Sequence, residues 1–299
     1  MHAFMVTYLR RDETTLSATA LLQQTRPPDS LLVVNNGPVG DVAHLANLPR
    51  VRVVDVGDNV GPAGGWAIAI EDVLGRAADD DWLLFADDEI PPRTQETVAN
   101  LLSFGEAQSA LDPSLGGVGL VGGRFDAQRG RVSRIADDQL PGPIDVDTLG
   151  GGHWPLLRIG AIRNVELPDA RLFFGFEELE YFLKVRAAGW RLVADGDQWR
   201  GLRSSAGRTS VTTAQLRGAT LPPWRAYYST RNEIVIAKRF ASRLGVGRSI
   251  GRGLARTTRS LLRREWSSSG AHASGVIDGC FGRLGRRREP PAPDRTPTP

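Results

Sequence analysis

The chain has 299 residues, 41% of them hydrophobic and 24% charged, with a formal net charge of +3. This is ordinary for a globular protein of one large or two small domains and leaves ample apolar material for a core. A single cysteine, Cys280, excludes an intramolecular disulfide framework. The start of the chain lacks the basic and apolar regions of a signal peptide, and no apolar run is long enough to span a bilayer, so the expectation is a cytoplasmic protein. Charge is unevenly spread: residues 224–288 carry 15 Lys and Arg against 3 Asp and Glu, and the rest of the chain is net acidic.

Residues 4–8 read as a short buried strand, 14–24 as a helix closed by Pro27 and Pro28, and 31–34 as a second strand ending in the turn signal Asn35-Asn36-Gly37. A third strand covers 51–56. Strands alternating with helices predict a parallel sheet with its ligand crevice beyond the carboxyl ends, where Tyr8, Asn35, Asn36 and Asp87 would gather. A glycine-rich run from Gly57 through Asn59, Gly61, Gly64 and Gly65 to Trp66 leads into a helix over 67–74. Glycines there let backbone approach a phosphate or sugar, or simply make a tight turn under the sheet. Their spacing is not the dinucleotide pattern.

A fourth strand over 82–85 delivers Asp87-Asp88-Glu89, and Pro91 and Pro92 stop it. Three adjacent carboxylates repel one another. A divalent metal carrying a diphosphate would offset that repulsion; a solvated acidic turn is the alternative. A helix over 94–104 precedes an irregular excursion, 111–152, with a strand at 118–121. His153, with no ligand partner nearby in sequence, reads as a surface or hydrogen-bonded residue rather than a metal ligand. Glu177 and Glu178 fall in the first turn of a helix that Gly189 ends, where the helix dipole favours acids. Phe173, Phe174 and Phe176 form an aromatic wall just before them, and a carboxylate on apolar surface has the raised pKa of a general base.

These pieces, in this order over roughly 4–240, resemble the inverting family 2 glycosyltransferases of GT-A fold, in particular the bacterial galactofuranosyl- and rhamnosyltransferase branch. The matching residues are Val6-Thr7-Tyr8, Gln24 with Pro27-Pro28, 32–37, 59–65, Asp87-Asp88-Glu89, Glu177-Glu178-Leu179-Glu180 with 186–190, and Tyr227-Tyr228 with Arg231-Asn232. The resemblance implies an α/β GT-A domain over 1–223 with a mostly parallel central sheet flanked by helices. It implies transfer of a sugar from a UDP- or dTDP-sugar donor to a hydroxyl of a glycan or lipid-linked acceptor. Asp87 and Glu89 would hold Mg²⁺ or Mn²⁺ on the donor diphosphate, Asp88 would lie near ribose or sugar, and Glu178 would be the catalytic base. Thr7, Tyr8, Asn35, Asn36 and Asn59 would line the nucleotide site, with Gly64, Gly65 and Trp66 at the donor sugar. Three departures stand out. Glu89 and Glu178 are one methylene longer than the usual Asp; Asn35-Asn36 replaces the acid that commonly reads the base; and no histidine follows Trp190, leaving Asp197, Gln198, Arg200 or Arg203 to substitute at the metal or diphosphate. A degenerate GT-A domain that binds a nucleotide sugar or scaffolds a membrane assembly without turnover is the rival reading.

Residues 224–284 read as a basic helical segment, with Arg248, Arg252, Arg256, Arg259 and Arg263 on one helical face. Such a face suits peripheral attachment to an anionic membrane surface at the inner side of the cell membrane, or packing against the catalytic body. No nucleic-acid motif is present. Residues 285–299, rich in Pro and Arg, are expected to be disordered.

Overall fold

The computed structural model describes residues 1–206 and 221–290. The chain opens with β1 (His2–Thr7), α1 (Arg11–Leu22), β2 (Ser30–Asn35), β3 (Val51–Asp55), α2 (Gly61–Leu74) and β4 (Trp82–Ala86). It continues through α3 (Thr97–Leu111), β5 (Leu115–Gly119), β6 (Gly122–Asp126), β7 (Arg131–Ser133), β8 (Pro143–Val146), β9 (Thr148–Leu149), β10 (Leu156–Arg158) and α4 (Ile159–Ile162). Then come α5 (Glu177–Ala187), β11 (Arg191–Asp195), α6 (Gly196–Ser205), α7 (Pro223–Phe240), α8 (Arg243–Leu262) and α9 (Trp266–Phe281).

Eight strands form one sheet in the order β3-β2-β1-β4-β10-β5-β11-β8. The first four run parallel, and β10 reverses between β4 and β5. The parallel half is apolar on both faces, as strands covered by helices must be: Leu83 and Phe85 join one core cluster with Trp66 and Phe182, while Trp82 and Leu84 join another with Leu21 and Leu101. A second sheet, β7-β6-β9, grows out of the irregular excursion.

The glycine-rich run differs from expectation. Helix α2 begins at Gly61, so Gly64 and Gly65 lie inside its first turns rather than in a loop before it. A Cβ on Gly65 would strike Val6 of β1, and one on Gly64 would come 2.7 Å from Val60 Cγ2. Gly65 lets the helix lie close on the sheet, and Gly64 leaves room for Val60 just ahead of it. That approach seats Trp66 in the interior, edge-on to Phe4 at 5.8 Å and Phe85 at 4.8 Å.

The C-terminal helices are joined to the body through α7. Arg231, fully buried, sits 4.8 Å from the ring of Tyr228 and donates to the carbonyls of Leu172 (2.6 Å) and Gly285 (2.7 Å). Asn232 donates to the carbonyls of Leu172, Phe174 and Gly175. Between them they fix a strained loop in which Phe173, Gly175 and Phe176 all have positive φ. Residues 285–290 run along the body. The Gly285 N–H donates to the Arg171 carbonyl, Arg286 bonds Asp58 (2.7 Å) and the Asn59 carbonyl (3.1 Å), and the Tyr228 hydroxyl donates to the Arg288 carbonyl. Positions 291–299 lie outside the described residues.

The expected arginine face of α8 divides: Arg248, Arg252 and Arg256 bond to the body, while Arg259 and Arg263 are exposed. Arg252 and Arg256 each bond Glu233 at 2.6 Å, and Arg248 donates to the Gln128 carbonyl. The helical period showed that the arginines share a face but not that an acid on α7 would meet them.

Candidate active site

At the carboxyl ends of β1, β2 and β4 lies a cavity of about 380 Å³, lined among others by Thr7, Tyr8, Asn36, Asn59 and Asp88. Asn36, 2% exposed, donates from Nδ2 to the Gly61 carbonyl, which leaves its Oδ1 buried without a partner at the cavity wall. Asn59 caps the turn into α2 by accepting from the Gly61 N–H at 2.9 Å. Asn35 serves the scaffold instead: its amide holds the Pro38 carbonyl and Asp55, and its Oδ1 accepts from the Gly37 N–H. Gly64, Gly65 and Trp66 do not line the cavity; their packing under the sheet, described above, occupies them.

Beyond β1 the chain turns through Leu9 at φ +59 and sends Arg10 back over the acidic triplet. Arg10 lies 3.2 Å from Asp88 Oδ1 and 2.8 Å from Glu89 Oε1. Burial raises the Asp88 carboxyl to a pKa of about 6, against the lowering effect of Arg10 and with a further push from Asp87. Asp87 points the other way. Its Oδ1 accepts from the N–H groups of Glu89 (2.9 Å) and Ile90 (2.7 Å), and its carbonyl accepts from Ser17 of α1, so the carboxylate is held rigid.

The short 3₁₀ turn Gly151–His153 bridges Asp87 to the base candidate. A Cβ on Gly152 would lie 3.3 Å from Asp87 Oδ2; one on Gly151 would overlap the Glu178 carboxylate. Gly151 donates its N–H to Glu178 Oε2 at 3.0 Å. Burial raises the pKa of Glu178, offset by that N–H and reinforced by Asp87. Its neighbour Glu177 is pushed to about 8 by burial and by Glu178, and its Oε2 has no partner. Both acids line a second cleft of about 450 Å³ with Thr148, Gly150, Gly175 and Phe176. The aromatic wall expected to raise their pKa divides: Phe176 lines this cleft, while Phe173 and Phe174 line the other. Sequence reasoning gave Glu178 but not the 151–152 turn that seats it, since two glycines reveal a close approach only once the facing residue is known.

The donor set of Asp87 and Glu89 is hard oxygen, the chemistry Mg²⁺ or Mn²⁺ takes when phosphate and water complete the shell. No group of three or more His, Cys, Asp or Glu side chains among the described residues is arranged to hold an ion. Two proposed substitutes for the absent histidine are occupied: Gln198 bonds Asp195, the cap of α6, and Arg203 bonds Asp137 and stacks on Trp199 at 4.6 Å.

Two guanidiniums escaped the sequence reading. Arg10 and Arg225 both line the first cavity, Arg225 from the first turn of α7 with Trp224 beside it. Pro290 adds the C-terminal strap to the same wall.

No protein-family model matches the chain. Galactofuranosyltransferase GlfT1 of Mycobacterium tuberculosis is 30% identical over 198 residues, 62% of this chain and 64% of that protein. GlfT1 of Mycolicibacterium smegmatis is 30% identical over 204 residues, 62% and 65%. The match thus spans just under two thirds of these relatives. Among solved structures, S. aureus TarS 1-349 in complex with UDP-GlcNAc superposes with a TM-score of 0.56 at 14% identity, covering 93% of this chain and 80% of that one. The mannosyltransferase PcManGT from Pyrobaculum calidifontis, in complex with GDP-Man and Mn²⁺, gives 0.51 at 14%, covering 94% and 87%. The chain has the GT-A fold of these glycosyltransferases, and its sequence is similar to that of mycobacterial galactofuranosyltransferases.

Proposed function

We propose that this chain is an inverting glycosyltransferase that moves a hexose, galactofuranose first among candidates and rhamnose second, from a UDP- or dTDP-linked donor to a hydroxyl of a glycan or lipid-linked acceptor. One observation carries the reading: Asp88 lines the nucleotide-sized cavity, while Asp87, the adjacent residue, reaches the glycine turn that seats Glu178. A nucleotide in the first cavity would present its sugar between the two clefts. Glu178, with a raised pKa, would take the proton of the acceptor hydroxyl as that oxygen attacks the anomeric carbon from the face opposite the diphosphate. Glu177 would stay protonated at neutral pH and so able to donate a hydrogen bond to the acceptor. Asp87 and Glu89 would hold Mg²⁺ or Mn²⁺, which when bound supplies charge neutralisation at the leaving diphosphate.

A membrane surface fits as the place of reaction. At the turn between α8 and α9, Leu262 is 80% and Trp266 66% exposed beside exposed Arg259, Arg263 and Arg264, a pairing of apolar and basic groups that anionic bilayers bind. No described helix is long and apolar enough to cross a membrane. Co-sedimentation with vesicles should require anionic lipid and weaken in Trp266→Ser; equal binding to neutral vesicles would remove the electrostatic part.

The test of activity is product formation with UDP-galactofuranose, other UDP-hexoses and dTDP-rhamnose, with Mn²⁺ and with chelator. Glu178→Gln should abolish transfer and leave donor binding intact. Binding without turnover across these donors would favour a non-catalytic nucleotide-sugar module, a reading to which the ion pairs of Arg10 with Asp88 and Glu89 lend weight.

A further inference from the structure

The geometry points to Arg225 as the residue that grips the donor's diphosphate from the protein side, a contact that does not depend on the metal. This rests on the donor reading above and adds a site to it. The first cavity carries two guanidiniums of different standing. Arg10 already faces two carboxylates, Asp88 and Glu89, so its charge is matched before any ligand arrives. Arg225 forms no ion pair among the described residues, and its Nε is buried without a hydrogen-bond partner. Its guanidinium lies 5.1 Å from the Trp224 ring and 5.3 Å from the Phe174 ring, aromatic contacts that offer its N–H groups no oxygen acceptor.

Arg225 is half-buried, and its buried Nε–H, left without an acceptor, costs stability unless something fills it. Planar forks of this kind bind phosphate oxygens in pairs, which a point charge such as lysine does not reproduce. The rest of the cavity says which anion. Its wall also presents Asn36 Oδ1, an unfilled acceptor, together with the Tyr8 ring, features that suit a nucleobase N–H and its face. A ligand with a base at one end and a negative charge at the other is a nucleoside phosphate, which on the donor reading is the nucleoside diphosphate. The acidic carboxylates at Asp87 to Glu89 would repel that charge, and Arg225 stands among the lining residues that can offset it.

The side chain is also well placed to be held. Trp224 and Arg225 lie in the first turn of α7, whose Arg231 and Asn232 anchor the loop bearing Phe174. The surface under the guanidinium is therefore fixed by the same helix that supplies the guanidinium.

Titration calorimetry on the full chain in chelator tests this, using UDP or dTDP, whichever binds more tightly, its parent nucleoside, and inorganic pyrophosphate. The wild-type protein should bind the diphosphate at least tenfold more tightly than the nucleoside. Arg225→Gln should weaken the nucleoside diphosphate and pyrophosphate by tenfold or more while leaving the nucleoside within twofold. Arg225→Lys should recover only part of the loss. Unchanged diphosphate affinity in Arg225→Gln overturns the assignment, and so does an equal loss for nucleoside and diphosphate, which marks a packing role. If the wild-type protein binds neither nucleotide nor pyrophosphate, the donor reading falls and this one with it; tight UDP or dTDP binding with an indifferent Arg225 overturns this one alone.

Discussion

Gly151→Ala is the most direct probe of how the base is seated. The backbone at Gly151 has no left-handed φ, so alanine is accepted there without strain. Its methyl, however, would overlap Glu178 Oε1 and Cδ and lie 3.0 Å from Cγ. To reach ordinary contact the carboxylate must retreat by about 1 Å or more, which also breaks its hydrogen bond to the Gly151 N–H. A misplacement of about 1 Å at a reacting group costs roughly 100-fold in rate, or about 2.7 kcal/mol of barrier. Stability should change by less than about 2 kcal/mol, because the obstructed atoms are the end of a side chain that can rotate toward the neighbouring cleft. The assay is kcat for sugar transfer, with donor Kd and urea unfolding measured on the same preparation. A wild-type kcat, or a loss explained wholly by donor affinity, would refute the seating of Glu178 against this turn.

Other consequences can be checked independently. Glu177 has a folded pKa of about 8 against an ordinary 4.5, so the native state holds a proton the unfolded chain gives up. Stability should therefore fall as pH rises from about 4.5 to 8, by at most about 1.4 kcal/mol per pH unit, and Glu177→Gln should flatten that slope in urea unfolding. Because Glu178 is also raised, the acid limb of the wild-type kcat profile should lie above the ordinary carboxylate range. On α8, Gly251→Ala meets nothing within 4 Å and should stabilise by roughly 0.5–1 kcal/mol, whereas Gly253→Ala meets Val276 Cγ2 at 2.6 Å and should destabilise by about 1–3 kcal/mol. Asn232→Ala removes the amide that holds the Phe174 and Gly175 carbonyls, leaving Leu172 to Arg231, and should cost roughly 1–3 kcal/mol, with donor affinity falling as Phe173 and Phe174 lose their support.

What was legible in the sequence was what local chemistry decides. The apolar runs of β1, β2 and β4 and the prolines after the acidic triplet fix strands and their ends within a few residues, and the alternation with helices fixes the parallel half of the sheet. Legibility ended where a residue's meaning depends on what faces it. The glycines before Trp66 look like a phosphate loop by composition, yet Val6 and Val60, packed against them, make them a close-packing device. The arginines of α8 share a helical face by spacing, but Glu233, outside that helix, decides that Arg252 and Arg256 are ion-paired to α7.

The same dependence changes what the absent histidine after Trp190 means. From the sequence it weakens one metal site, and the search for a substitute stays within the next dozen residues. In three dimensions the charge that must be neutralised is the diphosphate's, and any cation reaching the cavity can share that work. The chain brings Arg225 from α7 and Arg10 from the end of β1 into that cavity, from opposite ends of the sequence. Arg10, bound to both Asp88 and Glu89, also keeps the acidic triplet from repelling itself before a ligand arrives. The triplet is thus stabilised without a metal, and a donor's diphosphate would meet Arg225, which has no ion pair among the described residues. A metal requirement weaker than the acidic motif alone implies follows from that arrangement: chelator should reduce transfer more than it reduces nucleoside-diphosphate binding. Equal collapse of both would show that Arg225 does not carry the anion.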